Sequence, residues 1–512
     1  MDSVGIVRVL YLTAFIILFI FIYVKSQNIL SDISSMVERK KNRKLIVPML
    51  IVFMISSFLL TYRNNSINPN LDIVKKPGEN KYPNIVLITA DGLDANHTSV
   101  YGYKRDTTPR LKDLANTSLV AENAFPNGTT TSSGLLSIYT SKDPTQTRVL
   151  YPPDILKNED SYQHLPGILK SLGYYTAQIT HPYFADAYDA NLQSGFDFAN
   201  GRSMNEGNIF DFISKNFIPN VSYFVYQISS RLSDRLAHIF FIRQMVNQEA
   251  LVNGTEQKYD DTAKITNAIN ILTQKPQLVF MQIHWMGTHG GVFELNEQVF
   301  STGMSMDQQG NWNDAFYADS ILEFDKGVGE IVDFLKSKGL WENTILIVSG
   351  DHGEEWSTTD RIPLLIHFPG GQYSGIRKNN VQQLDVAPTV LDYLGIDKPS
   401  WMEGSSFLST ELNNRPIFSA GVDLVGNETA AVRTKPLEPP FYQFGSIIAV
   451  YCNSWFSLEL NTHIIDSGLV EGYTRPCEKN VSNEQFMAWI IQHLDENGFD
   501  TSSLNALVNS NP

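Results

Sequence analysis

Asp351 and His352 are the residues of this sequence whose types and spacing point most directly to chemistry. They stand side by side in Ser-Gly-Asp-His-Gly-Glu, residues 349–354. A carboxylate beside an imidazole offers a divalent cation one hard oxygen ligand and one nitrogen ligand, and flanking glycines let the backbone bend so that both side chains reach the same ion. Asp91, in Ala-Asp-Gly-Leu, is a further carboxylate. These residues predict a site for a divalent metal ion.

Three short, almost wholly apolar runs must position these groups, because polar groups follow each run within a few residues. The runs are residues 85–88, 278–281 and 345–348. Strands that are apolar on both faces are typical of a parallel sheet covered by helices. Apolar residues at helical spacing between residues 321 and 335, with Gly339 after them, predict a helix between the second and third runs.

The carboxyl ends of parallel strands lie along one edge of a sheet, where ligands bind in doubly wound folds. We therefore expect five groups at one edge: Asp91, His284, His289, Asp351 and His352. Taken singly, an Asp after a strand is more often a helix cap, and a His is more often a core or surface residue. Their coincidence at one edge favours a functional site.

Further motifs complete a resemblance to a known family. Ala-Asp-Gly-Leu, Tyr-Gly-Tyr, Thr-Thr-Pro-Arg-Leu, Ser-Gly-Asp-His-Gly-Glu and Asp-Val-Ala-Pro-Thr begin at residues 90, 101, 107, 349 and 385. In this order and at this spacing, from about residue 83 to residue 408, the chain resembles the sulfatase family of the alkaline phosphatase superfamily. The resemblance implies an α/β fold with a mostly parallel sheet flanked by helices. It also implies that Asp91, Asp351 and His352 bind the metal.

The segment that carries the family nucleophile, residues 127–144, departs from the family pattern. In sulfatases this segment contains the motif Cys-x-Pro-Ser-Arg. Its first residue, a Cys or a Ser, is converted to formylglycine. The matching residue here is Thr131, and the Pro and Arg are absent. A threonine at this position is similar to lipoteichoic acid synthases and to phosphoethanolamine or phosphoglycerol transferases, in which a metal-bound Thr attacks phosphorus. Thr131 is thus the predicted nucleophile and a metal ligand, while Thr130 and Ser132 stay open as alternatives because a hydroxyl here also suits a helix cap.

The resemblance gives roles to three further residues. His289 matches the family histidine that contacts the transferred group or protonates the leaving oxygen, and His284 is the weaker candidate for such a role. The family lysine that usually follows Asp-His-Gly is missing, and Arg361 is the only nearby cation that could replace it. Because the sequence shows no obvious second set of Asp and His ligands, we expect one divalent ion, which is manganese, magnesium, zinc or calcium.

Two apolar runs near the N-terminus, residues 5–24 and 45–60, have the length of membrane-spanning helices. The loop between them is rich in Lys and Arg, which predicts that it is cytoplasmic and that the rest of the chain is extracytoplasmic. A cleaved signal peptide is the alternative. We expect a multi-pass cell-membrane protein with four parts: a two-span anchor (1–66), a linker (67–82), a sulfatase-like catalytic domain (83–410) and a smaller strand-rich subdomain (411–512).

Composition limits the remaining possibilities. The net charge of -15 argues against a nucleic-acid-binding protein, which needs a basic surface. The two cysteines, Cys452 and Cys477, cannot form a zinc cluster by themselves, and a disulfide and two free thiols are both compatible with the sequence. Residues 218–246 are rich in aromatic and aliphatic residues with interspersed arginines, which predicts a packed helix. The alternative is an interfacial helix that guides a lipid-linked substrate.

Three functions follow from these observations. The first is phosphoryl-group transfer or phosphoester hydrolysis on a membrane lipid or glycan headgroup, with Thr131 as nucleophile. The second is hydrolysis of sulfuric esters without the usual cysteine. The third is an inactive, membrane-tethered binding module, which the missing Lys and Arg keep open.

Overall fold

A computed structural model of the chain describes two compact units, each taken by itself below. One unit comprises Met1–Asn68 with Glu206–Asn247, and the other comprises Pro69–Asn205 with Gln248–Pro512. The described residues are isolated positions between 17 and 27, then 71, 82–182, 184, 186–203, 223–229, 231–232, 235–236, 260–275, 278–290, 293, 295–310, 312–409, 414–425, 433–434, 438–475, 477 and 481–510.

The predicted membrane anchor, residues 1–66, lies outside the described residues except for a few helical positions between 17 and 27. Among the residues that are described, no helix has the length and apolar character that crossing a bilayer requires. The two spans and the orientation deduced from them therefore remain predictions.

A nine-stranded sheet forms the centre of the second unit. Its strands are β1 Asn84–Ala90, β2 Ser118–Phe125, β3 Tyr175–Ile179, β4 Phe198–Ala199, β5 Arg202–Ser203, β6 Val279–Trp285, β7 Thr344–Gly350, β8 Leu364–His367 and β9 Gly375–Gln382. Their order is β5-β4-β3-β6-β1-β7-β8-β2-β9. Only β5 and β8 run antiparallel to their neighbours in this sheet. The predicted mostly parallel sheet is thus confirmed.

The three apolar runs of the sequence form the adjacent strands β6, β1 and β7, as predicted. Ala90 pairs in register with Trp285 on one side and with Gly350 on the other, so the three strands end level with one another. Every residue of the three strands is buried, because helices cover both faces of the sheet. Leu278 lies just outside β6, in a left-handed backbone conformation.

The described residues of the second unit form nine α-helices. They are α1 Pro109–Ala115, α2 Thr131–Thr140, α3 Pro144–Thr147, α4 Leu165–Ser171, α5 Asp261–Gln274, α6 Asp314–Ser337, α7 Val386–Tyr393, α8 Asn483–Glu496 and α9 Ser502–Ser510. The helix predicted between the second and third runs is α6. Asn313 caps its first turn by accepting a hydrogen bond from the Ala315 amide, and Gly339 follows its end at a φ of 67°.

The C-terminal part contains a four-stranded antiparallel sheet, as the strand-rich prediction implied. The strands are β10 Ile417–Val422, β13 Phe444–Tyr451, β14 Ser454–Glu459 and β15 Ile465–Leu469, and a separate pair joins β11 Leu424–Val425 to β12 Arg433–Thr434. Helix α8 packs Phe486 onto Phe456 of β14, with ring centroids 5.8 Å apart. A disulfide joins Cys452 to Cys477, which decides between the two states left open by the sequence.

Candidate active site

The ends of β1 and β7 bring Asp91, Asp351 and His352 together. Asp91 directly follows β1 and Asp351 directly follows β7, and the Asp351 amide donates to the Ala90 carbonyl at 3.1 Å. One ligand atom from each of the three side chains lies within 4.8 Å of the others. All three side chains are buried. We call these three side chains the metal cluster, because the sequence predicts them as ligands of one metal ion.

In each carboxylate of the metal cluster, one oxygen has no hydrogen-bond partner among the described residues. Asp351 Oδ1 accepts bonds from the Gly92 amide at 2.9 Å and the His352 amide at 2.8 Å, whereas Oδ2 has no hydrogen-bond partner among the described residues. Asp91 Oδ2 accepts a bond from Thr131, and Oδ1 is likewise without a partner there. Because buried carboxylate oxygens are nearly always paired, these two atoms fit a site that binds a cation.

His352 has the hydrogen bonding of a histidine that could bind a metal ion. Its Nδ1 lies 2.9 Å from the Gly353 carbonyl oxygen, which only accepts hydrogen bonds. Nδ1 therefore carries the proton, and the lone pair of the neutral ring is on Nε2. Nε2 lies 3.5 Å from Asp91 Oδ1 and 3.8 Å from Asp351 Oδ2. The nitrogen and both oxygens without a partner thus lie close enough together to share a single divalent ion.

His284 also belongs to this site, and the structure gives it a different position from the one the sequence suggested. It lies within β6 rather than after it, and it is fully buried. Its Nδ1 is 2.8 Å from Thr89 Oγ1, while Nε2 is 3.7 Å from Asp91 Oδ2 and 3.8 Å from Asp351 Oδ2. Nε2 has no hydrogen-bond partner within the described part of the chain. This geometry suits a fourth ligand better than an acid–base group.

Thr131 is the first residue of α2 and faces the metal cluster. Its Oγ1 donates to Asp91 Oδ2 at 2.9 Å, and the side chain is buried. The glycine at position 134 allows this approach, because a Cβ there would lie 2.5 Å from the Asp351 carbonyl oxygen. The helix begins at Thr131, and the free backbone amides of a helix N-terminus favour an anionic group beside it.

The hydroxyls of the two alternative nucleophiles, Thr130 and Ser132, bond to residues outside the metal cluster. Thr130 is the N-cap of α2 and accepts the Ser133 amide, and its own hydroxyl donates to the Leu150 carbonyl. The hydroxyl of Ser132 donates to the Phe184 carbonyl. Of the three candidates in this turn, only Thr131 bonds to a residue of the metal cluster.

His289 lies four residues beyond the end of β6 and is half-buried. Its amide donates to the Met286 carbonyl at 2.8 Å, and its ring lies edge-on to Trp356 at 6.2 Å. Burial by itself would raise the pKa of Asp91, but the imidazoles of His289, His284 and His352 outweigh burial and hold that pKa below its usual range. His289 therefore favours the ionised form of Asp91.

Burial and the two carboxylates set the protonation of His352. Burial alone would lower the pKa of its ring, whereas the negative charges of Asp351 and Asp91 raise it, and the net result is a raised pKa. The pKa of Asp351 is raised by burial and by the nearby charge of Asp91. The ionised form of Asp351 is therefore disfavoured in the metal-free site, and a bound cation would favour it.

Arg361, the predicted substitute for the family lysine, is engaged away from the metal cluster. It donates to the Glu471 carbonyl at 3.1 Å, the Glu122 carbonyl at 3.0 Å and Asn96 Oδ1 at 2.7 Å. Its guanidinium thus joins β2 to Asn96 and Glu471, and nothing in its contacts supports a role on the transferred group. Lys264, a cation that sequence reasoning missed, instead donates to the His284 carbonyl at 2.8 Å.

Two further features of the site were not predicted from the sequence. Gln383, just before the Asp-Val-Ala-Pro-Thr motif, donates to the Asp351 carbonyl at 2.7 Å and so braces the metal cluster from behind. Asp94, His97 and Glu354 also come together as a possible second ligand set, contrary to the expectation of none. In this set His97 Nδ1 already lies 3.3 Å from Asp94 and 3.1 Å from Glu354. The three side chains therefore pair with one another.

Comparisons with known proteins bear on the family and the fold of the chain. The sulfatase family model matches residues 83–396. The multifunctional alkaline phosphatase superfamily protein PehA of Trinickia caryophylli is 30% identical over 116 residues, 20% of this chain and 23% of that protein. An arylsulfatase of Hemicentrotus pulcherrimus is 22% identical over 349 residues, 62% of this chain and 59% of its own. The chain thus spans less than two thirds of the length of these curated relatives.

A solved structure shares the fold. The phosphonate monoester hydrolase from Silicibacter pomeroyi superposes with a TM-score of 0.53 at 15% identity, over 82% of this chain and 96% of its own. At this identity the likeness concerns the fold alone.

Proposed function

The chain belongs to the sulfatase family, and from that premise we propose that it transfers or hydrolyses phosphoryl groups with Thr131 as nucleophile and one divalent metal ion as cofactor. The proposed ligands are Asp91, Asp351, His352 and Thr131. His284 is proposed as a further ligand because its Nε2 lies 3.7 Å from Asp91 and 3.8 Å from Asp351. His289 is the proposed acid and base for the leaving and entering oxygens. The proposed substrate is a lipid or glycan headgroup at the outer face of the cell membrane.

One observation carries this proposal. The Thr131 hydroxyl donates to Asp91 Oδ2 at 2.9 Å, beside two buried carboxylate oxygens that have no partner in the described part of the chain. A threonine at this position cannot become formylglycine, and both cysteines of the chain are joined in a disulfide outside α2. An unmodified hydroxyl is suited to phosphoryl transfer through a covalent phosphothreonine.

The reaction has two steps, in which atoms and charges balance. In the first, Thr131 Oγ1 gives its proton to solvent and attacks phosphorus, the bond from phosphorus to the leaving oxygen breaks, and protonated His289 gives its proton to that oxygen. In the second step, neutral His289 takes a proton from water or from an acceptor alcohol, and the oxygen of that molecule attacks the phosphorus of phosphothreonine. The bond from phosphorus to Thr131 Oγ1 then breaks, and Oγ1 regains a proton from solvent. A bound cation supplies positive charge that favours the Thr131 alkoxide and neutralises the phosphoryl oxygens.

Sulfuric-ester hydrolysis is the second candidate function. The similarity to an arylsulfatase over 349 residues favours it. The same arrangement of the Thr131 hydroxyl and His289 would apply to a sulfuryl group, but the chain would have to work without formylglycine.

Paired turnover measurements test the proposal. The full chain, purified in detergent and stripped of metal by a chelator, is assayed with manganese, magnesium, zinc and calcium in turn. The substrates are p-nitrophenyl phosphate, bis-p-nitrophenyl phosphate and p-nitrophenyl sulfate. We expect metal-dependent turnover of a phosphate ester that Thr131→Ala abolishes, with Ser132→Ala as the matched control that retains it.

Each other outcome has a definite meaning. Turnover of the sulfate ester in preference to both phosphate esters would establish the second candidate function. No turnover together with no bound metal would indicate a binding module.

A further inference from the structure

The helical segment formed by residues 223–229, 231–232 and 235–236 exposes large apolar side chains. Phe224 is 63% exposed, Ile228 is 51% exposed and Leu232 is 57% exposed. Residues four apart lie on the same face of an α-helix, so the three side chains form one stripe. Three large apolar groups in one exposed stripe are unusual on a surface that faces only water.

Two arginines lie on the same face. Arg231 and Arg235 are both exposed. They follow Phe224 by 7 and 11 residues, which is close to two and three helical turns. The stripe therefore combines apolar side chains with positive charge, in a chain whose net charge is -15. We call Phe224, Ile228, Arg231, Leu232 and Arg235 the amphipathic stripe.

The amphipathic stripe belongs to the compact unit that contains the N-terminal region. That unit comprises Met1–Asn68 and Glu206–Asn247, whereas the metal cluster belongs to the other unit. Residues 1–68 include both apolar runs of the predicted anchor and the basic loop between them. The segment is thus grouped with the part of the chain whose sequence favours a lipid environment.

We propose that the amphipathic stripe lies in the headgroup region of an anionic lipid bilayer. Phe224, Ile228 and Leu232 enter the boundary between headgroups and acyl chains, and the guanidinium groups of Arg231 and Arg235 bind lipid phosphates. Alternation of arginine with large apolar residues on one face matches a bilayer surface, where long cationic side chains reach the phosphates from an apolar position. This proposal goes beyond the proposed function, since it does not depend on any catalytic step.

A spin label placed on the stripe tests the proposal. Because both native cysteines are joined in a disulfide, an introduced cysteine is the single reactive thiol. Ile228→Cys is labelled in the full chain, which is reconstituted into vesicles of phosphatidylcholine and phosphatidylglycerol in equal amounts. The control is Ile376→Cys in β9 of the other unit, where the native side chain is 65% exposed. Power saturation then compares the access of apolar oxygen and of a water-soluble nickel complex to each label.

We expect oxygen to reach the Ile228→Cys label in preference to nickel, and the order to reverse at Ile376→Cys. A second variant, Arg231→Glu with Arg235→Glu, is expected to increase the access of nickel to the Ile228→Cys label several-fold. Equal nickel access at both labelled positions would overturn the proposal in favour of a water-facing helix. Shielding of the Ile228→Cys label from both reagents would overturn it in favour of a protein contact.

The same samples separate this inference from the proposed function. Phosphate-ester turnover with a water-exposed Ile228→Cys label would refute the bilayer contact and leave the enzyme intact. A label at bilayer depth in a protein without turnover would refute only the catalytic proposal.

Discussion

Asp351→Asn is the substitution whose effects on metal binding and on folding stability should have opposite signs. The amide oxygen of Asn can accept the same two backbone bonds that Asp351 Oδ1 accepts, from Gly92 at 2.9 Å and His352 at 2.8 Å. The loop therefore keeps its hydrogen bonds. The change replaces Oδ2, which has no partner among the described residues, by an amide nitrogen that cannot bind a cation.

The magnitudes follow from the loss of one charged ligand. Removing a group that only supports a ligand costs about 10-fold to 100-fold in metal affinity, so loss of the Asp351 carboxylate should cost at least about 100-fold. At a metal concentration about 100 times the dissociation constant, the wild type gains about 2.7 kcal/mol of stability, and the variant should gain almost none. Because burial and the nearby charge of Asp91 raise the pKa of Asp351, its ionised form costs folding stability, and the metal-free variant should be more stable than the metal-free wild type.

Isothermal titration of the chelator-treated full chain with manganese or zinc measures the affinity. Urea unfolding with and without metal, followed by tryptophan fluorescence, measures stability. Asp325→Asn is the matched control: Asp325 is a buried carboxylate that accepts the amides of Arg110 and Leu111 at 2.8 Å, and burial raises its pKa to about 7. The reasoning is refuted if Asp351→Asn keeps wild-type affinity, or if Asp325→Asn loses it equally.

Four further predictions concern the same site. Thr131→Ala should lower turnover by more than about 10³-fold while Ser132→Ala stays near wild type, as steady-state kinetics would show; equal losses would reassign the nucleophile. His289→Gln should slow esters of alkyl alcohols by about 10²-fold to 10⁴-fold and p-nitrophenyl esters far less, because only the poorer leaving group needs a proton; equal slowing would remove its acid role. Asp351 and Asp91 raise the pKa of His352, so protonated His352 stabilises the metal-free fold below about pH 6.5, and this stabilisation is lost as pH rises through the raised pKa. Metal affinity should increase over the same pH range. Urea unfolding and metal titration at several pH values would contradict this if stability and affinity changed in the same direction. Gly134→Ala should destabilise the chain by about 1–3 kcal/mol and weaken metal binding, because the added Cβ meets a backbone oxygen at 2.5 Å; unchanged urea midpoints would show that α2 does not pack this closely.

The sequence was sufficient for the elements that carry the site. Continuous apolar runs identified β6, β1 and β7, and the 3.6-residue period identified α6, because these patterns reflect burial directly. Since the three strands are parallel and adjacent, the positions of Asp91 and Asp351 followed from topology alone. The two residues after β7, Asp351 and His352, lie where the strand ends predicted.

Other parts of the site could not be read in this way. His284 lies in a strand buried on both faces, where the alternation of apolar and polar residues does not tell which face a side chain takes. Gln383 and Lys264 act on backbone carbonyls far away in sequence, and such bonds leave no pattern. Arg361 was favoured because it is near in sequence to Asp351, but its hydrogen bonds to Glu122, Asn96 and Glu471 hold it elsewhere.

The sequence alone could not distinguish Thr130, Thr131 and Ser132 as candidate nucleophiles. All three hydroxyls suit the first turn of a helix, so composition could not separate them. The N-cap role of Thr130 and the bond from Ser132 to the Phe184 carbonyl separate them once α2 is placed against β1 and β7.

Mass spectrometry after a rapid quench tests the role of Thr131 as nucleophile most directly. The metal-loaded protein is mixed with bis-p-nitrophenyl phosphate, quenched in acid within one turnover and digested for peptide sequencing. The account predicts a phosphoryl-type adduct on Thr131, which is absent from Thr131→Ala and from metal-free protein. An adduct on another residue, or turnover with no adduct at any quench time, would contradict it.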